Sequence, residues 1–176
     1  MTPQYIKING NGSKFYYKDK EMTIFHREDG AAIEYANGSK FWYLNGNLHR
    51  EDGAAVECSN GYKEWWLNGS LHREDGPAFE YADGYKAWYL NGKRHREDGP
   101  AIEWNTGSKE WWLNGKLYRE DGPAIESFFG NKYWFLSGKE YTEEEFKKRT
   151  VKEIVLTMDE IAEKLGIEVS KLKIKK

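Results

Sequence analysis

The chain has 176 residues, 39% of them hydrophobic and 16% aromatic, and its 27 basic and 29 acidic side chains give a formal net charge of −2. This balance provides no overall field to attract nucleic acid or an anionic membrane, and no stretch approaches the roughly 18 apolar residues of a membrane span. Cys58 is the single cysteine and residues 1–4 lack the apolar stretch of a signal peptide, so we expect a protein of the reducing cytoplasm.

The first segment is a degenerate copy of a motif that later repeats in full. Residues 12–17 read Gly-Ser-Lys-Phe-Tyr-Tyr and match residues 38–43 at a separation of 26. Because later copies are separated by 23 residues, this first copy carries a three-residue insertion ahead of His26. We predict that residues 1–25 form an N-terminal capping repeat, since the ends of a repeat array need covering.

Five full repeats of 23 residues follow, over residues 26–140. Four open with His-Arg-Glu-Asp-Gly, at positions 26, 49, 72 and 95, and the fifth opens with Tyr-Arg-Glu-Asp-Gly at 118. One tryptophan and one leucine keep fixed places in every repeat: Trp42, Trp65, Trp88, Trp111 and Trp134, and Leu44, Leu67, Leu90, Leu113 and Leu136. A fixed period of this length predicts an array in which each unit packs against its neighbours.

Each repeat has the pattern of a β-hairpin. In the fourth, residues 101–104 and 109–113 are short apolar and aromatic stretches separated by a polar segment, and other repeats place Asn-Gly or Asp-Gly at that turn. A second Asn-Gly closes the second strand. We therefore predict a mainly β protein, a solenoid-like array of antiparallel β-hairpins with two strands per repeat and a small α-helical C-terminal appendage.

The alternation of side chains predicts two distinct sheet faces. A turn centred on residues 60–61 puts Val56 opposite Trp65 and Ala55 opposite Trp66. The face with Ala55 and Trp66 then carries one aromatic residue per repeat, which we call the aromatic stripe: Tyr43, Trp66, Tyr89, Trp112 and Phe135. Because a single sheet buries one face at most against its own chain, we predict that this stripe is exposed and binds a partner protein.

Departures from the repeat are further candidates for partner binding, because they give one place on the array a special property. Arg94 stands where other repeats have leucine, and Phe128 and Phe129 replace small polar turn residues. An alternative for the two phenylalanines is that they dock the C-terminal segment.

Catalytic and metal sites are not indicated. His26, His49, His72 and His95 recur once per repeat, roughly 10 Å apart, which is too far for a shared Zn²⁺ and lacks the singularity of a catalytic centre. We expect these histidines to be structural, the arginines to pair with carboxylates, and Cys58 to be a buried small hydrophobe. We predict no catalytic residues, no cofactor and no metal.

Residues 141–176 break the repeat. Thr142 and Glu145 have the spacing of a capping box and predict a helix over 142–149. A second helix is predicted to open at 157–160 and to stop at Gly166, with a strand over 172–174. Residues 160–167 look like the first helix of a helix-turn-helix unit, but few residues follow, so we favour a structural cap or a partner-docking element over DNA binding.

The pattern Trp-Tyr-Leu-Asn-Gly-Lys-Arg-His at residues 88–95 resembles the MORN repeat family over about residues 5–140, with Arg-Glu-Asp-Gly in place of the usual glycine after the histidine. The full motif is also similar to repeat proteins encoded by tailed bacteriophages. This resemblance implies a non-catalytic interaction protein in the host bacterial cytoplasm that binds a host protein and inhibits or redirects it, with inhibition of antiviral defence as the specific hypothesis. The alternatives are a homo-assembling scaffold, with a homodimer through the stripe, and a DNA-binding regulator using the C-terminal helices. Nucleic acid is a disfavoured partner, and no membrane partner is expected.

Overall fold

A computed structural model describes residues 4–150, 161–163, 166 and 168. The described chain is mainly β and is dominated by one antiparallel sheet of 13 strands, here called the main sheet. The strands, in their order across the sheet, are Tyr5–Ile8, Lys14–Tyr17, Ile33–Glu34, Lys40–Phe41, Val56–Glu57, Lys63–Glu64, Phe79–Glu80, Lys86–Ala87, Ile102–Glu103, Lys109–Glu110, Ile125–Glu126, Lys132–Leu136 and Lys139–Tyr141. The sheet is not closed, since the first and last of these strands lie at its two ends.

Each repeat also contains a second, smaller hairpin. Four of these small hairpins form separate two-stranded sheets: Tyr43–Leu44 with Asn47–Leu48, Trp66–Leu67 with Ser70–Leu71, Tyr89–Leu90 with Lys93–Arg94, and Trp112–Leu113 with Lys116–Leu117. Asn68 and Gly69 form a two-residue turn with φ of 51° and 78°, as a type I′ turn requires. The prediction of two strands per repeat was therefore wrong, because the second Asn-Gly folds the chain back along a further strand instead of ending the hairpin.

The register of the main hairpins differs from the predicted one by one residue. Val56 pairs with Glu64 and not with Trp65. The reason is the turn: Cys58 N–H donates to the carbonyl of Tyr62 at 2.9 Å, enclosing a three-residue loop in which Gly61 has a φ of 86°. A shift of one residue exchanges the faces of a strand, so Trp66 shares its face with Val56 and not with Ala55.

The two faces of the main sheet carry different rows of side chains. One row is apolar or aromatic except for two glutamates: Phe15, Ile33, Phe41, Val56, Glu64, Phe79, Ala87, Ile102, Glu110, Ile125 and Tyr133. The row on the opposite face alternates in charge: Lys14, Glu34, Lys40, Glu57, Lys63, Glu80, Lys86, Glu103, Lys109, Glu126 and Lys132. Opposite charges thus lie between like charges, which is favourable across neighbouring strands.

Each small hairpin is hydrogen-bonded to the His-Arg-Glu-Asp-Gly segment that opens its own repeat. Arg50 N–H donates to the carbonyl of Trp66 at 3.0 Å, and Asn68 N–H donates to His49 Nδ1 at 3.1 Å. The same asparagine-to-histidine bond joins Asn45 to His26, Asn91 to His72 and Asn114 to His95 at 3.1–3.2 Å. An Nδ1 that accepts a hydrogen bond in a neutral imidazole leaves Nε2 to carry the ring hydrogen. The histidines therefore hold the opening segment of each repeat against the small hairpin of the same repeat, which is a structural role.

The arginine of each Arg-Glu-Asp-Gly segment lies between an aromatic ring and a glycine. Arg73 Cζ lies 4.0 Å from the ring centroid of Trp65. On its other side, a Cβ placed on Gly76 would lie 2.9 Å from the same Cζ, so this position has room for glycine alone unless the guanidinium moves. The same stacking joins Arg27 to Tyr16, Arg50 to Trp42, Arg96 to Trp88 and Arg119 to Trp111 at 3.9–4.1 Å.

The same arginines hold two carboxylates each, as the sequence predicted. Arg73 Nε lies 2.8 Å from Asp75 Oδ1, and Arg73 Nη1 lies 3.3 Å from Glu80 Oε1. Arg73 Nη1 also donates to the carbonyl of Pro77 at 3.2 Å. Each arginine thus ties its own loop to the charged row of the sheet, and the stacked ring fixes the plane of the guanidinium.

We expect acid to weaken this array below about pH 4. The hydrogen bond from Arg73 holds the pKa of Asp75 below its ordinary value of 3.8, and Asp29, Asp52, Asp98 and Asp121 show the same shift from their own arginines. A carboxylate with a lowered folded-state pKa stabilises the fold above the unfolded-state value, and that contribution is lost as the pH falls through the folded-state value. The measurement is the urea concentration at the midpoint of unfolding, determined at several pH values from 5 down to 2.5. Asp75→Asn should reduce the slope of midpoint against pH, and an unchanged slope would contradict the assignment.

The two ends of the array differ. After the fifth repeat, Thr142 and Glu145 form the predicted capping box, with Glu145 N–H donating to Thr142 Oγ1 at 3.2 Å and Thr142 N–H donating to Glu145 Oε2 at 3.0 Å. The helix Glu143–Thr150 follows and buries Phe146. Residues 161–163 are also helical, whereas the predicted strand over 172–174 lies outside the described residues. At the other end the sheet begins with Tyr5–Ile8, whose outer edge has no neighbouring strand in the described part of the chain.

Candidate functional site

The aromatic stripe lies on the small hairpins and is half-buried along its whole length. All five side chains, Tyr43, Trp66, Tyr89, Trp112 and Phe135, are intermediate in exposure. The stripe therefore runs beside the apolar row of the main sheet, because Trp66 lies two residues beyond Glu64 on the same face. We call this side of the array the aromatic face.

Glu64 organises the first part of the aromatic face. Its carboxylate accepts hydrogen bonds from the Tyr62 hydroxyl and from Trp66 Nε1, the latter at 2.6 Å. Burial, and then the adjacent Glu64 carboxylate, raise the pKa of Tyr62 well above its ordinary value, so this phenol stays protonated as a donor. A carboxylate on an otherwise apolar face is thus satisfied by aromatic donors, which fixes the orientation of both rings.

The centre of the aromatic face is a connected cluster of five rings that we call the aromatic patch: Tyr62, Phe79, Tyr81, Tyr85 and Trp104. Their centroids are 4.8–5.9 Å apart, the range of favourable aromatic pairs. Although they contact one another, Tyr81 and Trp104 remain 47% and 43% exposed. Two residues of the patch therefore have a larger exposed fraction than any residue of the stripe beside it.

The repeat pattern predicts the stripe but not the patch. Tyr62 follows the turn of the second repeat, and the predicted register placed it with Trp66 on the face opposite Val56, whereas the structure places it on the face of Val56. A three-residue loop with glycine in its last place would have given the correct register, and with it the alignment of Tyr62, Glu64 and Trp66 on one face. Residue type alone does not supply this register, because the two-residue turns also place glycine directly after asparagine.

Arg94 adds a positive charge to the aromatic face. It pairs across its small hairpin with Tyr89, and its Nε donates to the Tyr89 hydroxyl at 3.3 Å. Its Cζ lies 4.8 Å from the ring centroid of Trp112 in the next repeat, and Trp112 Nε1 in turn donates to Glu110 Oε2 at 2.8 Å. The structure therefore brings together three of the predicted binding residues, Tyr89, Arg94 and Trp112.

Phe128 and Phe129 lie apart from this group, at the tip of the fifth main hairpin. Their side chains are 66% and 85% exposed, and the two rings contact each other with centroids 5.5 Å apart. Phe128 N–H donates to Ser108 Oγ at 2.9 Å, so this turn lies beside that of the fourth repeat. Both rings remain largely exposed, so docking of the C-terminal segment, much of which lies outside the described residues, gains no support.

The opposite side of the array carries repeated clefts rather than one singular site. Four clefts of about 610–760 Å³ lie between successive Arg-Glu-Asp-Gly segments and have equivalent linings. Within the described ranges, histidines, cysteine and carboxylates do not form a group of three that could hold a metal ion. Cys58 is half-buried, and burial followed by the charge of Glu64 raises the pKa of its thiol, which disfavours the reactive thiolate.

Comparison with known proteins yielded no relative: neither the models of known protein families nor the curated protein sequences gave a match to this chain. Of the helices that the structure describes, none has the length and apolar character needed to cross a membrane. The aromatic face combines exposed rings, which are held by their contacts, with a few oriented charges.

Proposed function

We propose that this protein is a non-catalytic protein-binding module that docks on its partner through the aromatic face. One observation carries the proposal: the aromatic patch crosses neighbouring repeats as a contiguous surface, with Tyr81 and Trp104 more than two-fifths exposed although their rings are packed. Tyrosine and tryptophan are enriched at the energetic centres of protein interfaces, and rings already held by their neighbours lose little conformational entropy on binding.

The partner's source is a further part of the proposal. The resemblance to MORN-like repeats and to repeat proteins of tailed bacteriophages favours a bacterial host protein that this chain inhibits or redirects in the cytoplasm. Geometry supports the binding step, whereas the phage setting and a role against antiviral defence depend on that resemblance alone. A repetitive surface with four equivalent clefts on its other side, in place of one singular site, favours binding over catalysis.

The test is affinity capture from a bacterial lysate, with stoichiometry measured by light scattering. The wild-type protein is compared with Tyr81→Ala, Trp104→Ala, and with a control, Lys63→Ala, Lys86→Ala, that changes two exposed residues of the charged row on the other face. We expect the wild-type protein to capture one bacterial protein at a fixed stoichiometry. The patch variant should bind that protein at least about 100-fold more weakly, and the control should bind it with wild-type affinity. Equal capture by all three proteins would contradict a role for the aromatic face.

Homo-assembly is the second candidate, and the first strand favours it. Ile6 and Ile8 are 51% and 64% exposed on Tyr5–Ile8, whose outer edge is unpaired among the described strands. Unprotected edge strands pair readily with other chains. Light scattering of the purified protein separates the two candidates, because a dimer abolished by Ile6→Lys would assign assembly to this edge and not to the aromatic stripe. The DNA-binding alternative concerns residues 157–176, most of which lie outside the described residues.

A further inference from the structure

Arg94 is the one residue of the small hairpins that brings a cation to the aromatic face. Three of the four other full repeats hold leucine at the equivalent place, and the fifth repeat holds Glu140; each of these residues is paired across its hairpin with a stripe residue, the leucines being Leu48, Leu71 and Leu117. Leucine satisfies the packing at this position, so arginine is not required by the fold. The substitution places a charge at the centre of the array, two repeats from the C-terminal helix.

The guanidinium of Arg94 differs from those of the five repeat arginines. Each of those forms ion pairs with two carboxylates, as Arg96 does with Asp98 and Glu103. Arg94 forms no ion pair with any described carboxylate, and its one hydrogen bond among the described residues leaves from Nε to the Tyr89 hydroxyl. Both Nη groups, with four N–H donors in a planar fork, are therefore left for another acceptor.

The surroundings of Arg94 keep it charged and hold its plane. Partial burial acts to lower its pKa, but the hydrogen bond to Tyr89 and the neighbouring Glu110 carboxylate raise it overall. Glu110 is itself engaged by Trp112 Nε1 at 2.8 Å. Trp112 supports one face of the guanidinium at 4.8 Å from its ring centroid. The result is an oriented, stacked cation bordered by aromatic rings, which is the arrangement that binds carboxylates at protein interfaces.

We propose that Arg94 receives an aspartate or glutamate side chain of the partner, flanked in the partner by apolar residues that cover the aromatic patch. This inference rests on the proposed function, because it assigns the partner chemistry at the same face. A carboxylate matches the two parallel N–H bonds that the free end of the fork can donate. Apolar neighbours match the exposed rings of Tyr81 and Trp104, and they exclude water from the ion pair.

The test uses a displayed library of random 12-residue peptides, selected on the intact chain, and three protein variants. Arg94→Leu restores the repeat residue and should keep the fold, which thermal unfolding checks. Leu71→Arg, Arg94→Leu moves the charge by one repeat at unchanged composition. Tyr81→Ala, Trp104→Ala reports binding to the patch itself. Each selected peptide is resynthesised with asparagine or glutamine at its acidic position, and Kd values are measured.

We expect peptides selected on the wild-type chain to be enriched in aspartate or glutamate next to apolar residues. Their affinity should fall about 10- to 100-fold on Arg94→Leu, and the asparagine peptide should bind both proteins equally. If the selected peptides lose affinity for the patch variant but are not enriched in aspartate or glutamate, this inference is overturned and the proposed function stands. Peptides insensitive to the patch variant, or the absence of binding peptides, would overturn both. Full affinity of the charge-relocated variant would also contradict a role for position 94.

Discussion

Replacing Trp88 with alanine is expected to lower the free energy of unfolding by about 3 kcal/mol. Trp88 lies in the third of five full repeats, and its ring stacks against the Arg96 guanidinium, whose Cζ is 4.0 Å from the ring centroid. Its backbone links neighbouring strands as well, since Trp88 N–H donates to the carbonyl of Ala101 at 2.8 Å and its carbonyl accepts from His95. Truncation removes the packed ring and the support of the guanidinium, but not these backbone bonds.

The matched control is the same substitution at the end of the array. Trp134 occupies the equivalent place in the fifth repeat, but no arginine stacks on it within the described chain, because the next Arg-Glu-Asp-Gly segment is absent and Thr142 begins the helix cap. Trp134→Ala should therefore cost about half as much as Trp88→Ala. Urea unfolding followed by far-UV circular dichroism measures both, and an equal loss would show that the cation stacking contributes little.

The repeat architecture could be predicted because one period controls every level of structure. The 23-residue spacing predicted the antiparallel hairpin that recurs along the main sheet, but not the second, smaller hairpin of each repeat. Thr142 and Glu145 predicted the start of the helix within one residue. These features depend on local chemistry, namely turn glycines, capping side chains and alternation, which a sequence displays directly.

The face assignments failed because they depend on the conformation of a single turn. Dipeptides such as Asn60-Gly61 and Asn68-Gly69 read alike, yet the first pair lies in a three-residue loop and the second forms a two-residue turn. Gly61 and Gly69 both have positive φ, so residue type does not separate the two turn classes. The difference moves Val56 to the face of Trp66, and with it the location of the aromatic patch.

Exposure within the candidate site was equally inaccessible to sequence reasoning. Trp66 and Trp112 keep the stripe register, but each donates its indole N–H to a glutamate two residues earlier and is half-buried. Tyr81 and Trp104 share a turn-flanking register with Tyr35, but Cys58 and Ser127 fill it in the two other full repeats, so this register lacks the unbroken aromatic pattern of the stripe. Which aromatic residues face solvent is decided by contacts between repeats, not by the repeat itself.

Gly76→Ala is expected to destabilise the protein by about 2 kcal/mol, although it adds a single methyl group on a loop. Gly76 lies outside the left-handed region, so backbone strain is not the reason. The new Cβ would lie 2.9 Å from Arg73 Cζ, which forces the guanidinium off the Trp65 ring and away from Asp75 and Glu80.

A double-mutant cycle with Arg73→Ala tests this account, with urea unfolding as the measurement. If glycine is needed solely to admit the guanidinium, Gly76→Ala should cost nothing in the Arg73→Ala background, and it should stabilise that variant slightly by restricting the unfolded chain. A cost that persists without the arginine would show that the loop itself requires glycine. Because Gly30, Gly53, Gly99 and Gly122 have the same close contact with their own arginines, at 3.0–3.1 Å, the outcome applies to all five repeats. The Arg-Glu-Asp-Gly signature would then be explained as one packing unit, in which glycine makes the space, arginine fills it, and the carboxylates and the aromatic ring hold the arginine in place.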